Sequence, residues 1–448
     1  MGKNTHVDFG ASEDEVLVWS DFAACVKAWC LTTGRAVEIR DPKFSGKDGR
    51  GWGFRLGKRD VLALLCRASG IDILLLLAAK TYQVLQRIEL PTTDATNIAW
   101  SPDGRWIAVW ESPSAGYNLH IYTADGHLYR SIAREACDEG TGIQGLGIKT
   151  VSWLPGNEKL AIGGWDRRIR ILSTRTFAPL VFLDHADEIN VPGAHVWGEH
   201  VDAQGTRSYQ PTPQPATPPK AVLDKNESSF MKTGIGLMSF NADSTLAATR
   251  EDSTPSTIWI WDLRKLKTVA VLIHCKSVKT LQWCAGGLLL VQTALEGPVV
   301  YLYSYDADGD MSIRAQAPRI LDLSTHISPA PAAKYRLQYL CSAPASKKPL
   351  FLLAHNTAYI FVWPHGKDAI FRFEEDEGEG GDRSEDSLFD ILTGRTPVPR
   401  LKDVEYEEAD EQGEEIGDEG GLEDTFRGKM GRGGGRGGLG DSGVEEMF

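Results

Sequence analysis

The stretch Ile98-Ala-Trp-Ser-Pro-Asp-Gly-Arg-Trp-Ile-Ala-Val-Trp110 decides the fold of this chain. An alternating segment ends in an aromatic residue, Trp100. Ser101-Pro-Asp-Gly104 then has turn composition, with Pro presetting one dihedral and Gly tolerating a left-handed one. Ile107-Ala-Val109 reads as a second strand of small residues, suited to a crowded face. Leu119-His-Ile-Tyr122 and Leu128-Tyr-Arg-Ser-Ile132 read as a third and a fourth. The unit returns at Val151-Ser-Trp-Leu-Pro-Gly-Asn-Glu-Lys-Leu-Ala-Ile-Gly163, followed by Ile169-Arg-Ile-Leu172 and Leu180-Val-Phe-Leu183. A unit of this size cannot bury its own apolar face, so its copies must stack.

Registered on the aromatic that closes the first strand, the units fall at Phe9, Phe54, Trp100, Trp153, Phe240 and Trp283, at spacings of 45, 46, 53, 87 and 43. Most of these lie near the ~40–45 residues of a four-stranded propeller blade. The long spacing marks an insertion at 187–232. A seventh, weaker unit runs from Tyr335 through Leu350-Phe-Leu-Leu353 and Tyr359-Ile-Phe-Val-Trp363 to Ile370-Phe-Arg-Phe373. Amphipathic helical periodicity is hard to find. The expected fold is therefore all-β, a propeller of about seven four-stranded blades over 1–373, with ring closure left open. Its units are 5–41, 52–90, 96–133, 147–185, 234–274, 277–321 and 335–373. A disordered, acidic, Gly-rich tail is expected at 374–448.

Charge separates body from tail. The segment 374–448 holds 24 acidic and 8 basic residues, a net of −16, against −13 for the whole chain. The body is thus close to neutral, at +3, which does not suit a strongly basic nucleic-acid binder. The tail's acidic runs cannot bury enough surface to fold. Between them, Ser387-Leu-Phe-Asp-Ile-Leu-Thr-Gly394 is an apolar island, read either as an idle sticky segment or as one or two helical turns formed on a partner. The seven cysteines contain no Cys-x-x-Cys and sit in apolar strands, as buried reduced thiols would. The start carries neither an apolar signal core nor a myristoylation pattern, His6 standing where Ser or Thr is needed. The longest apolar run, Ile71 to Ala79, is far short of the roughly 20 residues that span a bilayer. No membrane partner is expected.

The Trp-Asp dipeptide occurs at Trp261-Asp262, closing a third strand, and at Trp165-Asp166, in a turn. More specific are Gly145-Leu-Gly-Ile-Lys-Thr-Val-Ser-Trp153, Leu160-Ala-Ile-Gly-Gly-Trp-Asp-Arg-Arg-Ile-Arg-Ile-Leu172 and Asp184-His-Ala-Asp-Glu-Ile-Asn190. After the insertion come Lys232-Thr-Gly-Ile-Gly-Leu-Met-Ser-Phe240, Leu246-Ala-Ala-Thr-Arg250 and Ile258-Trp-Ile-Trp-Asp-Leu263. Over 13–363 these resemble the family of WD-repeat-containing protein eight, the WD-repeat protein of centrosomes and fungal spindle pole bodies. The resemblance implies a non-enzymatic WD-repeat scaffold in the cytoplasm and cytoskeleton. Its partners would be a coiled-coil anchoring protein at the spindle pole and a minus-end-directed kinesin. Together they would hold microtubule minus ends at the microtubule-organising centre and support spindle organisation. The family also carries about two more units upstream, so this chain starts at the family's third. Two other function classes stay open: another WD-repeat adaptor such as a ubiquitin-ligase substrate receptor, and an RNA- or ribosome-associated factor using the Gly/Arg-rich tail.

No catalytic, cofactor-binding or metal-ligating residues can be nominated. Gly142-Ile-Gln-Gly-Leu-Gly-Ile-Lys-Thr150 lacks phosphate-loop spacing and leads into a strand. Asp306-Ala-Asp-Gly-Asp310 lacks the Glu that closes a calcium loop, and a hairpin turn is expected there. The histidines show no ligand spacing, and His185 is expected to bond within a blade. The insertion carries Gln210-Pro-Thr-Pro-Gln-Pro-Ala-Thr-Pro-Pro-Lys220, for which an unstructured loop or an extended peptide ligand is expected. In a propeller, turns between second and third strands gather at one mouth. Here they bring Trp110 and Glu111, Trp165, Asp166 and Arg167, and Arg250, Glu251 and Asp252. Trp and Arg dominate interface energies. Trp110, Glu111, Trp165, Arg167, Arg250 and Glu251 are accordingly the candidate partner contacts, against the alternative that the two Trp rings fold inward as blade packing.

Overall fold

A computed structural model describes residues 4–363, apart from 22–24, 48, 134–145, 223–231, 285–286, 306–316, 328–333, 341–349 and 356–357. Within these residues the repeat units are seven antiparallel sheets: one (4–40), two (52–89), three (95–132), four (148–184), five (235–273), six (278–322) and seven (336–362). Sheets one to four and six are four-stranded meanders in chain order, and sheet seven shows three described strands. The expected outer strand of sheet seven, Ile370 to Phe373, lies outside the described residues, as do Asp306-Ala-Asp-Gly-Asp310 and the tail.

Alternation explains why the middle strands are apolar throughout. In Val61–Ala68, Leu62, Leu64 and Cys66 point into the core shared with sheet one. Val61, Ala63 and Leu65 point into the core shared with sheet three. A sheet stacked on both faces needs apolar residues at both parities. Six such cores join consecutive sheets, from one–two to six–seven. Among the described residues none joins sheet seven to sheet one.

The aromatic anchors lock each sheet to the one before it. The Trp100 indole N–H donates to the Gly53 carbonyl at 3.0 Å, Trp153 to Ala99 at 3.2 Å and Trp283 to Ser239 at 3.1 Å. Each acceptor immediately precedes the anchor of the preceding sheet. Phe54, Trp100, Trp153 and Trp283 are buried accordingly, whereas Phe9, on the first strand of sheet one, is 77% exposed.

The insertion is where the structure departs most from expectation. Its described residues up to 222 are not an unstructured loop. His195–Val201 and Arg207–Pro211 form an antiparallel hairpin, and His195–Val201 pairs in parallel with Lys267–Ile273, the outer strand of sheet five. Sheet five thus has six strands. Pro211 is tolerated because it lies on the edge strand, where a missing donor breaks no ladder bond. The cysteines also differ from expectation. Cys66 and Cys284 are buried, but Cys25 and Cys30 are half-buried and Cys275 is exposed. Cys137 and Cys341 lie outside the described residues.

Candidate functional site

The two Gly-Ile restarts occupy equivalent places. Gly147 and Gly234 immediately precede the first strands of sheets four and five, Ile148–Trp153 and Ile235–Phe240. Both have left-handed backbones, φ +97° and +84°. The Gly147 carbonyl accepts from the Trp165 N–H at 3.1 Å, and the Gly234 carbonyl from the Asp252 N–H at 3.0 Å. Each therefore ties the start of its sheet to that sheet's own turn between second and third strands. A Cβ on Gly234 would stand 2.7 Å from Trp165 Cα, and one on Gly147 would stand 2.9 Å from Pro113 Cα. The glycines let each restart press against the preceding sheet's turn, and Ile148 and Ile235 are fully buried beside them. Gly234→Ala is expected to cost about 2–4 kcal/mol, from the left-handed φ and the clash together. Urea unfolding of the variant measures this, and a loss under ~1 kcal/mol would contradict the packing described.

Around these restarts lies a charged network. The Lys149 ammonium donates to Asp252 Oδ2 at 2.6 Å and to the Thr233 carbonyl, and sits 4.2 Å from the Trp165 ring centroid. Arg250 donates to Asp252 Oδ1 and reaches the Val278 carbonyl at the start of sheet six. Arg167 pairs with Asp187 at 2.8 Å and approaches Glu251 at 3.6 Å. The Arg167 hydrogen bond holds the Asp187 carboxyl below the usual range against the opposing effect of burial, with Lys220 adding a smaller attraction. Asp166 pairs with Arg170 at 2.7 Å, both nearly buried. The structure thus gathers Trp165, Arg167, Arg250, Glu251 and Asp252 at the mouth between sheets four and five.

Four of the six candidate contacts lie in strands rather than turns, and none of the six is exposed. Trp110, Glu111 and Glu251 are buried. Trp110 belongs to the core between sheets three and four. The second strands span Trp106–Glu111 and Leu246–Glu251, so Trp110 and Arg250 lie within strands and the two Glu residues end them. Both have the same internal task. Glu251 accepts the Gly234 N–H at 2.9 Å and the Ser253 N–H at 3.0 Å. Glu111 accepts the Thr93 N–H at 2.6 Å and the Asp94 N–H at 3.3 Å. Each carboxylate satisfies a donor where the chain enters its sheet's first strand, and Glu251 also one in the turn that follows it. Such groups would be costly to bury unpaired. Trp165 and Arg167 are half-buried, and Arg250 is 15% exposed.

His185 bonds within the propeller. Its Nδ1 lies 3.1 Å from the Arg167 carbonyl, which can only accept, so Nδ1 carries the proton. Its Nε2 then accepts the Thr249 hydroxyl at 2.8 Å, and Thr249 accepts the Trp261 indole N–H at 2.8 Å. The ring packs edge-on against Trp259 and Trp261. Burial drives the imidazole down to about 3. Trp261, of the one Trp-Asp dipeptide that closes a strand, is therefore bonded to Thr249, and through it to the histidine that links sheets four and five.

A second buried polar cluster had no forewarning in the sequence motifs. The Glu199 side chain of the inserted hairpin is buried. It accepts Arg207 at 2.7 Å, the Cys275 N–H at 2.7 Å and the Tyr301 hydroxyl at 2.8 Å. Burial opposes its charge, but these donors outweigh burial and hold the carboxyl below its ordinary range. Tyr209 bonds His274 Nδ1 at 2.6 Å, and the Tyr301 ring packs on both. The hairpin is thereby fastened to sheets five and six at once. Strand alternation could have found the hairpin itself, as His195-Val-Trp-Gly-Glu-His-Val201 and Arg207-Ser-Tyr-Gln-Pro211 flank the turn ending at Gly205.

The charges at the mouth are paired with one another, an arrangement that holds backbone and aromatic surface in place. Among the described residues no group of His, Cys, Asp and Glu converges as a metal site, and no helix is long and apolar enough to cross a membrane.

No protein-family model matches the chain. The mouse "WD repeat-containing protein WRAP73" is 28% identical over 314 residues, 61% of this chain and 63% of that protein. The fission-yeast "Uncharacterized WD repeat-containing protein C32H8.09" is 27% identical over 288 residues, 63% of this chain and 56% of that protein. The chain thus spans about three-fifths of the length of the curated relatives it matches. A solved chain described as "Crystal Structure of Mitotic Checkpoint Complex" superposes on 68% of this chain and 75% of its own length, with a TM-score of 0.41 and 11% identity, too loose a likeness to carry a conclusion. The fold is a WD-repeat β-propeller, and the curated proteins this chain resembles are WD-repeat proteins.

Proposed function

We propose that this protein is a non-catalytic WD-repeat scaffold of the microtubule-organising centre, assembling a complex that anchors microtubule minus ends. The observation that carries the proposal is the mouth between sheets four and five. The Gly-Ile-Lys and Gly-Ile-Gly stretches that resemble the centrosomal and spindle-pole family are the ones that build this mouth. There they bring Lys149, Trp165, Arg167 and Arg250 together. Trp and Arg in a fixed setting are strong interface anchors, because little side-chain freedom remains to be lost on binding. The partner would be a coiled-coil anchoring protein, with a minus-end-directed kinesin in the same assembly.

The test is affinity capture of the tagged chain from mitotic cells, wild type against a Trp165→Ala, Arg167→Glu double variant, with thermal unfolding of both as a control. Retained folding with at least a tenfold loss of co-purifying spindle-pole proteins is expected. Undiminished recovery by a folded variant would show that the mouth is the wrong face.

A further inference from the structure

The Pro-rich part of the insertion does not project into solvent. It returns across the mouth as a strap. The Thr212 N–H donates to Val196 at 2.8 Å, and the Gln214 side chain bonds the Val191 N–H at 2.7 Å and the Ala194 carbonyl at 3.0 Å. Ala216 and Ile189 exchange both main-chain hydrogen bonds, at 2.7 and 3.0 Å. Pro218 is buried, and the Ala221 N–H then donates to the Ser253 carbonyl at 2.7 Å. Ser253 follows Glu251 and Asp252 in the same turn, and Ile189 is two residues from Asp187, the partner of Arg167. The strap therefore lies over the face that holds Arg167, Glu251 and Asp252.

The strap's attachments are those of a bound peptide rather than of a core strand. An extended backbone exchanges a few main-chain bonds, one proline side chain enters the body, and Thr217, Pro219 and Lys220 stay exposed. Proline-rich backbone loses little entropy on being held extended, so few contacts suffice to seat it, and few suffice to displace it.

We propose that the surface formed by Ile189 and the turn at Ser253 is an extended-peptide site. In this structure it is filled in cis by residues 214–222, and a partner's proline-containing basic segment replaces them in trans. This rests on the mouth being the partner face, and it adds the ligand's chemistry and an autoinhibitory contact.

A fluorescein-labelled synthetic peptide of residues 211–222 is the probe, titrated by anisotropy into the full chain and into an Ala216→Pro, Pro218→Asp double variant. The first substitution removes the N–H donated to Ile189, and the second places a carboxylate where the buried proline sits. The variant is expected to bind the probe at least tenfold more tightly than wild type, and a Lys220→Glu probe to bind it several-fold more weakly. Equal affinity of wild type and variant for the probe overturns the proposal. If the variant does not fold, hydrogen exchange on wild type decides. Strap peptides spanning 214–222 should exchange at least a hundredfold faster than Leu246–Glu251, and equal protection overturns the proposal. A chain that binds the probe yet never reaches the spindle pole keeps the site and loses the location. A chain that localises without binding it loses the site alone.

Discussion

Glu199→Ala is expected to destabilise the chain by about 3–5 kcal/mol, the cost typical of removing one partner of a buried ion pair. The variant strands the Arg207 guanidinium, the Cys275 N–H and the Tyr301 hydroxyl together, each of which has this carboxylate as its acceptor. Arg207 itself is only one-fifth exposed, so water cannot substitute fully. Glu199→Gln should cost less, because it keeps one acceptor oxygen while turning an NH2 towards Arg207. The damage should also be local. Hydrogen exchange should rise in His195–Val201, Arg207–Pro211 and Val299–Ser304, while sheets one to three keep their protection. Urea unfolding and exchange mass spectrometry read the two parts separately. A loss below 1 kcal/mol, or deprotection spread evenly over the propeller, would mean that the hairpin is not fastened through this carboxylate.

The second large effect is loss of stability in acid. His185 and His274 are held neutral by burial, at about 3 and about 4, against 6.5 for the exposed side chain. For such groups the unfolded chain binds more protons than the folded one below pH 6.5. Their contribution is therefore complete above that pH, and it is lost as pH falls towards the folded values. Between the unfolded and the folded values each contributes a slope of about 1 kcal/mol per pH unit, steepest near pH 5, so the pair gives about 2. The structural cause is specific at His185. Protonating Nε2 turns the acceptor of the Thr249 hydroxyl into a donor, so that hydroxyl must turn its proton to the Trp259 carbonyl, a poorer acceptor at 3.5 Å. Over two pH units the loss is a large fraction of the stability of an ordinary domain. Unfolding free energies at pH 7, 6, 5 and 4 should show this slope, with His274→Gln removing about half of it. A flat profile down to pH 4.5 would contradict the buried neutral pair.

The parts of the fold that rest on local chemistry could be read from the sequence. Trp100, Trp153 and Trp283 mark strand ends because an aromatic before a turn packs on the neighbouring sheet, and all three anchors do so. The same periodicity exposed the insertion. It could not say what the insertion does, because proline content signals missing donors and not the absence of pairing. A strand at a sheet's outer edge can carry Pro211, and His195–Val201 found a parallel partner some 70 residues away in sequence. The mouth was only partly legible. The expected turns took in Trp110 and Glu111, and Arg250 and Glu251, all four of which belong to second strands. The strands run on to Glu111 and Glu251, because a buried carboxylate there meets main-chain donors at the entry to the first strand of its own sheet. Lys149 was quoted in the restart but not singled out, since its partners at Thr233 and Asp252 lie 84 and 103 residues on. Nothing local distinguishes a lysine that crosses a blade junction from one that points to solvent.

Scaffolding at the spindle pole, reached through the mouth between sheets four and five, is most directly tested by following the fluorescently tagged chain through mitosis in living cells. Discrete foci at the spindle poles from prophase to anaphase are predicted for the wild type, and their loss for a folded Trp165→Ala, Arg167→Glu variant. A wild-type signal that stays diffuse throughout mitosis would contradict the spindle-pole function itself.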